Sequence, residues 1–234
     1  MNTFFTLVAI LFLTFLGKAQ VGSNQIIVTD EMFNTMWRGE LNAKIKIDTI
    51  KPRNGLYGLG PMAMLQGEIL ILNGTCYSAM VLDDTHMQID SHGVVGAPFF
   101  AHGFVQQWKA IKLPGSVKTH IALEKFLDKR FKKQKGAKFF KIEGRIEEAT
   151  IHLVNLPLGT PVKQPKDAHK GKTTYKVYDK EVELLGFYSS EHRQIFTHHD
   201  TNLHMHLITK DRSKMGHVDA IQFIPKKAVI YFAQ

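Results

Sequence analysis

The chain has 234 residues, is 44% hydrophobic and carries 30 Lys and Arg against 21 Asp and Glu, a formal net charge of +9. That length and composition suffice for one or two domains with a real core. A single cysteine, Cys76, excludes an intrachain disulfide framework and a Cys-rich zinc fold, and the basic excess comes without any nucleic-acid-binding motif.

In chain order, Phe4 to Leu16 is an apolar run interrupted only by Thr6 and Thr14 and followed by Gly17-Lys18-Ala19. This is the size of a signal-peptide core and too short to span a bilayer, so residues 1–19 are expected to be removed on export, the alternative being a short membrane anchor. The mature domain, 20–234, is expected in the periplasm or outside the cell, without a membrane or nucleic-acid partner.

Thr29 to Gly39 predicts a helix with Thr29 as N-cap and Met32, Phe33, Met36 and Trp37 on its apolar face. Ile45 to Ile50 alternates like an edge strand, and Lys51 to Gly55 is a turn. Glycines 55, 58, 60 and 67 then cluster ahead of Glu68 without the spacing of a phosphate loop. On pattern alone Glu68 is a strand-end carboxylate facing water. Ile69 to Leu82 predicts a hairpin turning at Asn73-Gly74, Asp83 to Gly96 a polar loop with surface histidines 86 and 92, and Pro98 to Phe104 another strand.

Leu123, Leu127 and Phe131 mark an amphipathic helix with Ser116 as N-cap, Gly136 as stop and a solvated basic face of Lys129, Lys132 and Lys133. Residues 139–144 and 149–154 predict two strands, Leu156 to Lys172 an exposed Pro-rich crossing loop, and 175–178 and 182–188 two more strands. The loop from Ser189 to Asn202 carries His192, His198 and His199 as further candidates to approach a metal; of the adjacent pair at most one could bind. Closing strands are expected at 221–224 and 228–232. The fold class is α+β, mainly β, with few helices.

The segment from Leu203 to Ile221 carries the chemistry. His204 and His206 alternate with Leu203, Met205 and Leu207, so on a strand both imidazoles share one face, with Cα atoms roughly 6.5–7 Å apart. A turn centred between Asp211 and Arg212 sets His217 opposite His206, on the same face. Three imidazoles with an open position suit a catalytic Zn²⁺ or similar divalent ion better than a closed structural site. The plainer alternative is a set of half-exposed polar residues.

The run from His204 to His217 resembles the zinc hairpin of the bacterial acetolactate decarboxylases. Tyr57-Gly58-Leu59-Gly60, Leu65-Gln66-Gly67-Glu68-Ile69 and Leu185-Gly186-Phe187-Tyr188 are similar to further segments of that family, in the same order. The resemblance implies two sheet-based lobes with the metal between them. It further implies Zn²⁺ on His204, His206 and His217, Glu68 as a proton-handling group, and conversion of 2-acetolactate, a small anionic 2-hydroxy-3-oxo acid, to acetoin and CO₂. His152 stands where the family carries a catalytic arginine, so it would act as an orienting cation or donor, and no C-terminal acidic residue matches the family's second carboxylate. Two alternatives follow from these departures: a related metal-dependent enzyme on another 2-hydroxy-3-oxo acid, or an exported metal- or ligand-binding protein without turnover. A homodimer is left open.

Overall fold

The computed structural model describes residues 25–234 other than 93, 194, 196 and 198–200. The expected signal peptide at 1–19, the expected mature start near Gln20, and His198 and His199 lie outside the described residues. The first half contains β1 (Ile27–Thr29), α1 (Met32–Arg38), β2 (Ile45–Lys46), β3 (Leu56–Pro61), β4 (Glu68–Leu72), β5 (Thr75–Val81), β6 (Met87–Asp90), β7 (Gly96–Ala97), β8 (Phe100–Phe104) and β9 (Trp108–Lys112). The second contains α2 (His120–Phe131), β10 (Lys138–Leu153), α3 (Pro165–Ala168), β11 (Thr173–Tyr178), β12 (Glu181–Tyr188), β13 (Leu203–Thr209) and β14 (Met215–Ala233). Among the described residues no helix is long and apolar enough to cross a membrane.

Two six-stranded antiparallel sheets dominate, which makes the protein α+β and mainly β. The first runs β1-β8-β3-β4-β5-β6 and the second β11-β10-β12-β13-β14-β9. In the second, β10 also pairs with β14, so β10, β12, β13 and β14 form a closed circuit of pairings. Tyr57, Leu59, Leu70, Ala79 and Ala101 of the first sheet share one core with Phe139, Ile142, Leu184 and Leu207 of the second. β4 is covered on both sides. Its Leu70 belongs to that shared core, while Ile69 and Ile71 pack on Ile47, Ile50, Ala97 and Phe100, which explains its unbroken apolar run.

Several predicted elements are redrawn by tertiary pairing. Thr29 does not cap the first helix: it lies in β1 opposite Phe100, and the helix begins at Met32. The expected edge strand at 45–50 pairs only over Ile45 and Lys46 before a 3₁₀ turn, Ile47–Thr49, that buries Ile47. α2 is capped by Thr119, whose Oγ1 accepts from Ala122 N–H at 3.2 Å, rather than by Ser116. The loop at 83–96 contains β6, and the two predicted strands at 139–154 are one, β10, as are the two closing strands, which belong to β14. The crossing loop after β10 is not simply exposed: Leu156, Val162 and Ala168 pack with Met32 and Met36 of α1.

Candidate metal centre and active site

β13 and β14 form the hairpin, turning over 209–214, and its register sets His206 directly opposite His217. His204, His206 and His217 are 3%, 0% and 7% exposed, which removes the half-exposed reading. Their ring centroids lie 5.0–5.5 Å apart, and one nitrogen from each falls within 4.8 Å of the others. His206 Nδ1–H donates to the Ile69 carbonyl at 2.9 Å, which leaves its Nε2 lone pair for an ion. Three neutral nitrogen donors, close together and with no thiolate, fit Zn²⁺ or another borderline divalent cation.

Glu68 opens β4 and reaches the same place from the first sheet. It is 4% exposed, not water-facing, and its Oε2 lies 3.5 Å from His206 Nε2. Burial pushes its pKa up to about 8; a hydrogen bond from the Val154 backbone opposes the shift and the Asp219 charge adds to it. Gly67, at φ +136°, makes this approach feasible: a Cβ there would stand 2.1 Å from the Ala79 carbonyl oxygen.

His152, near the end of β10, pairs in register with His217, and the two rings are 4.8 Å apart. Its Nδ1–H donates to Asp219 Oδ1 at 2.8 Å, and Lys172 Nζ lies 3.6 Å from Asp219 Oδ2. His169, just after α3, presents its ring to His152 at 6.0 Å and an interplanar angle of 89°. Glu68, His152, His169, His204 and His217 line one small cavity walled by Met32, Met36 and Phe99. A second cavity, of about 310 Å³, shares His217 as a lining residue, is bordered by His120, Glu124, Leu203 and Met205, and reaches Asp219.

All five sequence-predicted site residues therefore meet in one place. Two neighbours, Asp219 and His169, escaped sequence reasoning. Asp219 had a signal, since it follows His217 by two residues on the same strand. His169 had none, because a Pro-rich loop folded onto α1 delivers it. Of the other candidates, His192 bonds Ser189 Oγ at 2.7 Å and does not belong to the histidine cluster. His86 is exposed and bonded to Asp83, and His92 is exposed, both as expected.

A family model described as alpha-acetolactate decarboxylase matches residues 29–234. Among solved structures, acetolactate decarboxylase from Bacillus subtilis subspecies spizizenii superposes with a TM-score of 0.72 at 20% identity, over 90% of this chain and 86% of that one. The alpha-acetolactate decarboxylase of Bacillus subtilis strain 168 gives 0.72 at 18% identity, over 90% and 85%. A Staphylococcus aureus protein of unknown function, similar to alpha-acetolactate decarboxylase, gives 0.70 at 16% identity, over 90% and 85%. No curated protein sequence matches the chain.

Proposed function

The chain belongs to the alpha-acetolactate decarboxylase family, and on that premise we propose that it is an exported zinc-dependent decarboxylase converting 2-acetolactate to acetoin and CO₂. The observation that carries this reading is the buried cluster of His204, His206 and His217 with the Glu68 carboxyl 3.5 Å from one of its nitrogens.

His204, His206 and His217 would hold the ion. When bound, it supplies Lewis-acid stabilisation of the negative charge that develops on the substrate oxygens as CO₂ leaves. The carbon that loses the carboxylate must gain one proton, and Glu68 is the buried group beside the cluster that can hold or relay it. His152, fixed by Asp219, orients the substrate. The apolar wall of Met32, Met36 and Phe99 keeps bulk water from the reacting carbon.

The test is release of acetoin and CO₂ from racemic acetolactate by purified residues 20–234, with zinc quantified on the same sample. The reading expects about one zinc per chain and turnover that disappears together with the metal in His204→Ala. Zinc without acetoin overturns it. That result leaves a related 2-hydroxy-3-oxo acid as substrate, a reading favoured by an aspartate-bound imidazole at position 152, or a metal-binding protein without turnover. A homodimer, if formed, is read from the mass in solution. Export is tested by the N-terminus of the secreted chain.

A further inference from the structure

The small cavity lined by Glu68, His152, His169, His204 and His217 is about 20 Å³, room for about one water molecule, so a hydroxy acid enters only when part of its wall moves aside. Among the described residues lining it, only His169 is not buried. His169 is therefore where the cavity meets solvent. It belongs to residues 154–172, which link β10 to β11 and whose ends lie together: Leu153 pairs with Thr173, and a Cβ on Gly171 would stand 2.2 Å from the Asn155 carbonyl oxygen. This is a compact loop closed at its neck, the form of a cover rather than a linker. Its Leu156, Val162 and Ala168 pack with α1 in a small cluster separate from the main core, so displacing the loop leaves that core intact. The loop is also basic: Lys163, Lys166, Lys170 and Lys172 stand against Asp167 alone, which Lys170 pairs at 3.0 Å, and Lys172 reaches Asp219 at 3.6 Å.

We propose that this loop is a basic lid over the site and that His169 is a substrate-contacting residue, whose imidazole N–H holds the carboxylate of the incoming acid. This rests on the reading of the site as one for a small anionic hydroxy-oxo acid. The other polar groups on the cavity wall are already engaged: His204 and His217 are candidate ion ligands with His206, Glu68 handles the proton, and His152 Nδ1 is bonded to Asp219. An imidazole carries at least one N–H whether neutral or charged, so the assignment does not depend on the protonation state of His169. Ala168, fully buried in the cluster with Met32 and Met36, fixes the backbone beside it, and the lysines around it favour the approach of an anion.

The experiment measures binding, so its outcome is independent of acetolactate turnover. Calorimetry on zinc-loaded residues 20–234 compares 2-hydroxy-2-methylpropanoate with the uncharged 2-hydroxy-2-methylpropanamide. His169→Ala should weaken the carboxylate about tenfold or more and the amide by less, with zinc content unchanged. His169→Gln, which keeps an N–H donor, should retain more of the carboxylate affinity than His169→Ala. All three proteins keep His204, His206 and His217, so the ion's own attraction for the carboxylate cancels in the comparison. An unchanged preference for the carboxylate in His169→Ala overturns the proposal, as does a wild-type protein that fails to bind the carboxylate. A second measurement reads the wild type directly: the His169 imidazole signals in ¹H–¹⁵N spectra, assigned by their absence from His169→Gln, should shift on titration with the carboxylate, and signals that stay in place overturn it. Acetoin release and zinc content on the same preparation report separately on the decarboxylase reading, which can fail while the carboxylate contact at His169 stands.

Discussion

His206 Nδ1 lies 2.9 Å from the carbonyl oxygen of Ile69, so a candidate ligand on the second sheet is tied to the first sheet one residue beyond Glu68. A single hydrogen bond thereby fixes both the orientation of the imidazole and its distance from the carboxyl. Replacing His206 removes the candidate ion ligand and the tie together. His206→Ala is expected to reduce zinc after dialysis from about one equivalent per chain to a small fraction of that, measured by elemental analysis. His192→Ala, whose native side chain bonds Ser189, should keep its zinc. Equal loss in both variants would count against the assigned ligand set.

Glu68 should separate chemistry from metal binding. Glu68→Gln preserves the shape of the side chain but removes the transferable proton, so acetoin formation should fall by about 100-fold or more with zinc retained. A variant that keeps full turnover would remove Glu68 from the proton path.

The same carboxyl predicts a pH effect in the metal-stripped protein. Its folded pKa, about 8, lies above the ordinary 4.5, so the folded state binds the proton more tightly than the unfolded state. The associated stability is fully present below pH 4.5 and is lost as pH rises through about 8. Urea titrations of metal-free wild type should therefore weaken across that window relative to Glu68→Gln. Parallel curves for the two proteins would contradict the burial-driven shift.

How much of this was legible in the sequence depended on distance along the chain. The hairpin was legible because alternation sets His204 and His206 on one face and His206 and His217 are equidistant from the turn. Glu68 was not readable from its own neighbourhood: a carboxylate before an apolar run looks solvent-facing until a second sheet covers it. β10 and β14 look like two short strands each because the pattern breaks where their register slips. The partner of Gly144 is Ala228, whereas that of Ile146 is Phe223, and Pro225 falls in the bulged stretch. Helix caps shifted for a related reason, since Thr29 was claimed by pairing with Phe100.

Gly186 explains one block of the family resemblance in packing terms. It pairs with Phe140, whose ring lies across it: a Cβ at 186 would stand 2.2 Å from Phe140 Cζ. Phe140 is fully buried, so its ring cannot swing clear into solvent. Gly186→Ala should therefore cost about 1–3 kcal/mol and lower Tm by about 3–10 °C, read by calorimetry. An unchanged Tm would show that the ring shifts without strain.

His102 predicts the acid limit of stability. It sits on β8 between Phe100 and Phe104, with ring centroids 5.9 and 6.4 Å away, and is 5% exposed. Its Nδ1 has no hydrogen-bond partner among the described residues. Burial lowers its pKa from 6.5 to about 4, so the unfolded chain takes up a proton at a pH where the folded protein does not. The contribution to stability is fully present above pH 6.5 and is lost as pH falls through about 4. His102→Phe keeps an aromatic ring in the pocket and removes the titrating group. The difference in unfolding free energy between wild type and variant should change by on the order of 1–2 kcal/mol between pH 7 and pH 5, in favour of the variant at the lower pH. Subtracting one protein from the other cancels the carboxylates they share, so a pH-independent difference would mean that His102 titrates normally in the folded state.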